Sequence, residues 1–393
     1  MTFQEIKDQD QAYIMHTYGR VDAALVKGKN ARAWDVEGKE YIDFTSGIGV
    51  NSLGYSDPQW AGAVAEQAGT IQHLCNYYYS PQNTALAQEL CAAAGMAQAF
   101  FCNSGAEANE CAIKIARKYG EKRGANKIVT LVNSFHGRTL TTLAATGQEA
   151  FHKDFLPITE GFLYAQAGDL KAVDQLLDGS VCAVLMETVQ GEGGVVPMEP
   201  EFVQGLRRLC DQRDVLLMVD EVQTGVGRTG SFYSYQGFGI VPDVATSAKG
   251  LAGGLPIGAC LVGEKLRNLL KPGQQGSTFG GNPVACAGAR EVVRRVANPV
   301  FLKEVEEKGQ YFREKLAALP QVDFVRGKGL MLGIKLKSGD AHEVLTRCAQ
   351  EGLLVLTAKD LVRFLPPLTI TKEDIDQGLE IFARVIEEQE SVA

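Results

Sequence analysis

The chain has no C-x-x-C pair and no cluster of histidines or cysteines at metal-ligand spacing. It also has no apolar run approaching the roughly 20 residues that a membrane-spanning helix needs. Histidine is scarce, at five residues, so a structural metal site is not expected. Basic residues are outnumbered, 39 Lys+Arg against 47 Asp+Glu for a net charge of −8, which argues against a general nucleic-acid or anionic-membrane surface. The opening residues, Met-Thr-Phe-Gln-Glu-Ile-Lys-Asp, are polar and acidic, unlike a leader peptide. Nine cysteines (Cys75, Cys91, Cys102, Cys111, Cys182, Cys210, Cys260, Cys286 and Cys348) are scattered, most of them in apolar runs. They read as small core residues of a protein in a reducing compartment, and a cytoplasmic location is expected.

What is present is enough for two domains: 393 residues, 45% of them hydrophobic. From about residue 58 apolar runs alternate with amphipathic stretches. Strands are expected at 97–102, 127–132, 182–187, 215–220, 243–247 and 257–263, and helices at 106–119, 170–177 and 200–211. Near-continuous apolar strands alternating with helices indicate an α/β fold with a parallel sheet covered on both faces. The texture changes after Asn282-Pro283. Two helices, 287–296 and 300–319, are separated by the breaker Asn298-Pro299, and strands follow at 325–336 and 353–357. A last helix opens at Thr371 with Ile375, Leu379, Phe382 and Ile386 on one face. A hairpin is expected within 33–44, turning at Glu37-Gly38-Lys39.

One lysine stands out. Lys249 lies in Asp243-Val-Ala-Thr-Ser-Ala-Lys-Gly-Leu-Ala-Gly-Gly-Leu-Pro256 with no acidic residue nearer than Asp243. Desolvation lowers an amine's pKa and makes it nucleophilic, which is the condition of a Schiff-base lysine. Asp220 closes the apolar run Val215-Leu-Leu-Met-Val-Asp220. A lysine for the aldehyde and a strand-end aspartate for the ring nitrogen are what a pyridoxal 5′-phosphate (PLP) site requires. Elsewhere, Ser104 and Glu107 have capping-box spacing at the start of a helix, where Gly105 and Ala106 would offer N–H groups to an anion. Asn133-Ser-Phe-His-Gly-Arg-Thr139 follows a strand and offers an aromatic ring and the planar fork of Arg138. Glu187 and Glu192 flank a glycine-rich loop; paired carboxylates also serve glycoside hydrolysis, but no environment that would raise a pKa can be argued from sequence. Gly225 to Gly230 spells G-x-G-x-x-G, yet four residues separate it from the strand and no helix opening follows, so a dinucleotide site is not expected. Gly276-Ser-Thr-Phe-Gly-Gly-Asn-Pro283 sets hydroxyls among glycines.

Together these motifs resemble the class III, fold type I, PLP-dependent aminotransferases, in family order along nearly the whole chain, and within them the acetylornithine enzymes. Further matching stretches are Asp43-Phe-Thr-Ser-Gly-Ile-Gly-Val-Asn51 and Val325-Arg-Gly-Lys-Gly-Leu330. The resemblance implies a large PLP-binding domain over 58–283 with a mainly parallel seven-stranded sheet. It implies a smaller α+β domain over 284–393, joined by the N-terminal segment 1–57. It also implies roles. Lys249 would hold the cofactor and move the proton between substrate and cofactor, and Asp220 would keep the ring nitrogen protonated. Gln223 would contact the cofactor hydroxyl, with Glu221 and Val222 beside it, and Phe135 would stack on the ring. Gly105 and Ala106 would hold the phosphate, with Thr278 contributed by a neighbouring subunit of a homodimer. Arg138 would bind the substrate α-carboxylate, with Ser277 beside it. Glu192 would mask Arg363 during one half-reaction and release it to a dicarboxylate in the other. Tyr18 and Asn76-Tyr77 would line the entrance.

The implied activity moves the terminal amine of N2-acetylornithine to 2-oxoglutarate, in arginine biosynthesis. Ornithine, succinylornithine, succinyldiaminopimelate and 4-aminobutyrate are alternative donors, and an aminomutase that isomerises glutamate semialdehyde is a further alternative. Two departures bear on subfamily: Gly54-Tyr-Ser-Asp-Pro58 replaces the usual Gly-His-x-His-Pro, and Glu187-Thr188 replaces Glu-Pro. Gly47-Ile48, without a tyrosine at 47, is closer to the acetylornithine pattern.

Overall fold

The computed structural model describes residues 1–390. Its centre is a seven-stranded sheet in the order Gln98–Cys102, Gly258–Val262, Val244–Ser247, Leu216–Asp220, Val181–Met186, Lys127–Leu131, Phe162–Ala165. The last five run parallel, whereas Gly258–Val262 is antiparallel to both of its neighbours. The middle strands are buried on both faces; all six residues of Val181–Met186 are covered, which is why they read as unbroken apolar runs. The one antiparallel strand, Gly258–Val262, agrees with the expected mainly parallel seven-stranded sheet. Phe162–Ala165, at the far edge and only partly covered, was not anticipated, because a short half-exposed strand carries little apolar signal.

The expected helices form as Gly105–Gly120, Leu170–Leu176 and Pro200–Arg213. Both Asn-Pro pairs open helices: Asn282 caps Pro283–Val296 through Ala285 N–H, and Asn298 caps Pro299–Ala317 through Val300 N–H. A second sheet, Val322–Lys328, Met331–Leu336, Leu361–Phe364 and Leu356–Ala358, is antiparallel throughout. The stretch expected as one strand at 353–357 splits at Val355. Leu353-Leu354 instead pairs in parallel with Ile42-Asp43 of the N-terminal hairpin, tying the two ends of the chain together. The hairpin sets Ala33 opposite Tyr41. Phe44, Phe312, Phe364 and Phe382 pack in edge-on and tilted pairs with ring centroids 5.0 to 6.0 Å apart where these elements meet. No helix among the described residues is long and apolar enough to cross a membrane.

Candidate active site

A cavity of about 570 Å³ opens where the parallel strands end. Strand-end residues line it: Asn103 to Ala106, Phe135 to Arg138, Glu187, Asp220 with Val222 and Gln223, and Ala248-Lys249. This is the crevice outside the carboxyl edge of an α/β sheet, where backbone groups and helix starts converge. Tyr18 reaches it from the N-terminal segment and is 76% exposed. Another cavity, of about 430 Å³, is walled mainly by apolar residues together with Cys91, Cys111 and Cys260 and contains none of the expected site residues.

Asp220 is buried at the end of its strand. Its Oδ2 accepts from Asn109 Nδ2 and lies 2.8 Å from His136 Nδ1, while Oδ1 accepts from Val222 N–H at 3.0 Å. Accepting from His136 requires the proton on Nδ1, and the buried Nε2 then has no partner. Neither His136 nor Asn109 was singled out in the sequence; they stand 84 and 111 residues from Asp220.

Lys249 sits at φ 40°, a left-handed conformation that a side-chain-bearing residue adopts only under constraint. Its amine makes no hydrogen bond or ion pair among the described residues. Burial pushes its pKa below the ordinary 10.5 and Arg363 adds to that effect, while Glu192, Asp220 and Glu187 pull the other way. Burial therefore disfavours the charged form of this amine, which lines the cavity.

At the cavity's other side the 16-residue helix Gly105–Gly120 begins. Ser104 Oγ caps Glu107 N–H, and the Glu107 carboxylate accepts from the Ser104 hydroxyl and from Asn103 N–H. The first-turn N–H groups of Gly105 and Ala106 have no acceptor within the helix and face an anion-favouring potential. Gly105 is needed for packing as well: a Cβ there would lie 2.8 Å from both Val222 methyls.

Glu187 is deeply buried. Its two oxygens accept from Phe135 N–H and Gly191 N–H, joining two loops, and burial with the neighbouring Asp220 charge raises its pKa well above the carboxylate range. Glu192 is paired instead with Arg363, Nη1 to Oε1 at 2.7 Å, and Gln223 bonds to both. Burial works to raise the Glu192 carboxyl, but the charge and hydrogen bond of Arg363, with Lys249 and Gln223, together outweigh it and hold the group below its usual range. With one carboxylate spent on an arginine, the pair does not suit glycoside hydrolysis. Arg138 has no carboxylate partner among the described residues; its guanidinium lies 4.2 Å from the Phe151 ring centroid and 5.6 Å from that of Phe135. Glu221 points away from the cavity, bonded to Thr224 and Tyr235 N–H. Ser277 and Thr278 do not line this cavity within one chain: Ser277 lines a separate depression and Thr278 is exposed. Gly225 to Gly230 turns without opening an α-helix, which leaves no dinucleotide fingerprint.

The donor set fits PLP. An unpartnered amine, a carboxylate with a free lone pair on Oδ1, an aromatic wall and a helix N-terminus surround one cavity, matching aldehyde, pyridinium, ring and phosphate.

Comparison with known proteins agrees. The family model described as "Aminotransferase class-III" matches residues 13–386. The acetylornithine aminotransferase of Haemophilus ducreyi is 48% identical, over 99% of this chain and 100% of its own. The succinylornithine transaminase of Yersinia enterocolitica is 44% identical, over 96% and 95%. The ornithine aminotransferase of Toxoplasma gondii, a structure with PLP partially occupying its active site, superposes with a TM-score of 0.93 at 31% identity, covering 99% of this chain and 96% of that one. Sequence, fold and cavity lead to one conclusion: this chain belongs to the PLP-dependent class III aminotransferases.

Proposed function

We propose that this enzyme transfers the terminal amino group of N2-acetylornithine to 2-oxoglutarate, giving N-acetylglutamate 5-semialdehyde and glutamate. The observation that carries the reading is the Glu192–Arg363 pair, 2.7 Å apart beside the cavity that holds Lys249 and Asp220. A transaminase with two unlike substrates must accept an ω-amine in one half-reaction and a dicarboxylate in the other. An arginine masked by a carboxylate can serve both, because a substrate carboxylate can replace Glu192 on the same guanidinium. An aminomutase, which needs no 2-oxoglutarate, would have no use for that exchange.

The cofactor, when bound, supplies an electron sink for the carbon from which the proton is removed. Asp220, oriented by His136 and Asn109, holds a proton at the ring nitrogen. Lys249, whose pKa burial lowers, takes and returns the substrate proton. Phe135 would pack against the ring, and Gly105 and Ala106 would donate to the phosphate. Arg138, with no acidic partner, binds the donor's α-carboxylate. Ser277 and Thr278, which do not line their own chain's cavity, fit a homodimer in which each subunit completes its partner's site. All nine cysteines are unpaired, in keeping with the reducing cytoplasm.

Steady-state kinetics with acetylornithine, succinylornithine, ornithine, succinyldiaminopimelate and 4-aminobutyrate test the donor. Acetylornithine is expected to have the highest kcat/KM, and a strong preference for free ornithine would overturn the assignment. The 44% identity to a succinylornithine transaminase makes succinylornithine the donor to compare most closely.

A further inference from the structure

Glu192 lies on the link Gly191–Val195, between the short paired strands Val189-Gln190 and Val196-Pro197. The C-terminal sheet lies beneath this link. In its register Arg326 stands opposite Gly333, and Gly333 opposite Arg363. Residues directly opposite one another on antiparallel strands share a face, so the two arginines form one row with Gly333 between them. The link meets that row at three points. Arg363 Nη1 donates to Glu192 Oε1, Arg326 Nε donates to the Gly194 carbonyl at 2.8 Å, and Val195 packs over Gly333. Any side chain at Gly333 would put its Cβ 2.9 Å from Val195 Cβ. Val195 is buried at φ 55°, a conformation that a β-branched residue keeps only when its surroundings impose it.

We infer that Arg326 is a positioning residue for Glu192: it anchors the link's main chain while the Glu192 side chain leaves and regains Arg363. The inference rests on the gate reading above. The two arginine contacts differ in kind. The Arg363 contact uses the carboxylate that a substrate must displace, whereas the Arg326 contact uses a backbone carbonyl for which no substrate competes. Arg326 makes no ion pair among the described residues, and its guanidinium lies over the Phe324 ring, 5.4 Å from the centroid, so no carboxylate competes for the Gly194 contact. Its own backbone is held from behind, where Arg313 donates to the carbonyls of Val325 and Gly327 at 3.1 and 2.7 Å. The seat therefore stays fixed while the gate moves.

The test uses the holoenzyme and two readouts: equilibrium binding of glutarate, a dicarboxylate that cannot react, and single-turnover rates of the glutamate and acetylornithine half-reactions. Arg326→Met keeps the apolar stem and removes the donor. Loosening Glu192 unmasks Arg363, so glutarate is expected to bind about fivefold tighter and the glutamate-to-acetylornithine rate ratio to rise about as much, the scale of one lost hydrogen bond. Arg326→Lys, which restores a donor, is expected to recover much of the change. In a Glu192→Ala background Arg326→Met is expected to change neither readout by more than about twofold, since its effect runs through Glu192. If Arg326→Met does not fold, Gly333→Ala unseats Val195 from the opposite side and is expected to shift both readouts in the same direction. An equal loss of both half-reactions, with glutarate binding unchanged, marks a merely structural role and overturns the inference. Unchanged readouts in Arg326→Met alongside shifted ones in Glu192→Ala also overturn it. Unchanged readouts in Glu192→Ala itself overturn the gate reading first, and the role of Arg326 with it.

Discussion

His136 Nδ1 lies 2.8 Å from Asp220 Oδ2, and both side chains are almost wholly removed from solvent. With Asn109 on the same oxygen, two donors fix the carboxylate's direction, and Oδ1 is left toward the cavity with only Val222 N–H upon it. A buried, doubly held carboxylate is suited to keeping a ring nitrogen protonated. Asp220→Asn removes the charge and keeps the shape. It is expected to lower kcat by about 10²–10⁴-fold, the scale of a lost proton-holding group, with a small change in thermal midpoint. Wild-type turnover in this variant would remove Asp220 from the chemistry.

Arg138 is an exposed cation resting on two aromatic rings without an acidic partner. Stacking orients the fork and leaves its N–H groups free for a planar carboxylate. Arg138→Ala is expected to raise KM for the amino donor by about tenfold or more, the worth of charge-assisted hydrogen bonds, with a smaller effect on kcat. Arg138→Lys should recover only part, since an ammonium cannot make the bidentate contact. An unchanged KM in steady-state assays assigns the α-carboxylate to another group.

Much of this site was legible because its signals are local. Lys249 among small apolar residues, Asp220 at the end of an apolar run and Ser104 three residues before Glu107 each need only a few neighbours to be read, and all three reach one cavity. The groups that orient them were not legible. Nothing near His136 or Asn109 marks them as partners of Asp220, because the contact exists only once two strand ends and a helix converge. Glu187 is similar: its raised pKa comes from burial and the Asp220 charge, neither visible in Glu187-Thr-Val-Gln190. Strand direction was also out of reach. The run 257–263 is as apolar as its parallel neighbours, and pairing alone makes it antiparallel. The break at Val355 likewise depends on two sheets competing for adjacent residues.

Glu221 gives stability a pH dependence. Burial lifts its pKa from the ordinary 4.5 to about 7, against the hydrogen bonds from Thr224 and Tyr235 N–H. Between those values the folded chain keeps a proton that the unfolded chain releases, so this group lowers stability as pH rises from about 4.5 to about 7 and no further above that. Asp43 and Glu187, raised by burial, act in the same sense, whereas Lys249, lowered by burial, makes stability rise with pH below its ordinary 10.5. Glu221→Gln isolates one contribution. Relative to wild type it is expected to gain about 2.5 kcal/mol between pH 5 and pH 8, read from urea unfolding of the apoenzyme at each pH. A pH-independent difference would show that the carboxyl titrates normally.

Thr278 and Lys249 should act across a subunit boundary. Thr278 is exposed on the turn Ser277–Gly280, which Asn76 Nδ2 braces by donating to the carbonyls of Ser277 and Gly280 at 3.0 Å each. A braced turn that carries an exposed threonine outside its own cavity is suited to donating to a phosphate in a second copy. In a twofold dimer the relation is reciprocal, each Lys249 site receiving the other chain's Thr278. Thr278→Ala homodimers are expected to bind the cofactor about fivefold more weakly, and Lys249→Ala homodimers to be inactive. A hybrid with one subunit of each kind, isolated through two affinity tags, has one site that combines an intact Lys249 with an intact Thr278. Titrating apo hybrid with PLP and following activity should return the wild-type affinity at that site. If Thr278 served its own chain, the sole active site of the hybrid would keep the weakened affinity of the Thr278→Ala homodimer. The two arrangements thus give different titration midpoints from the same preparation.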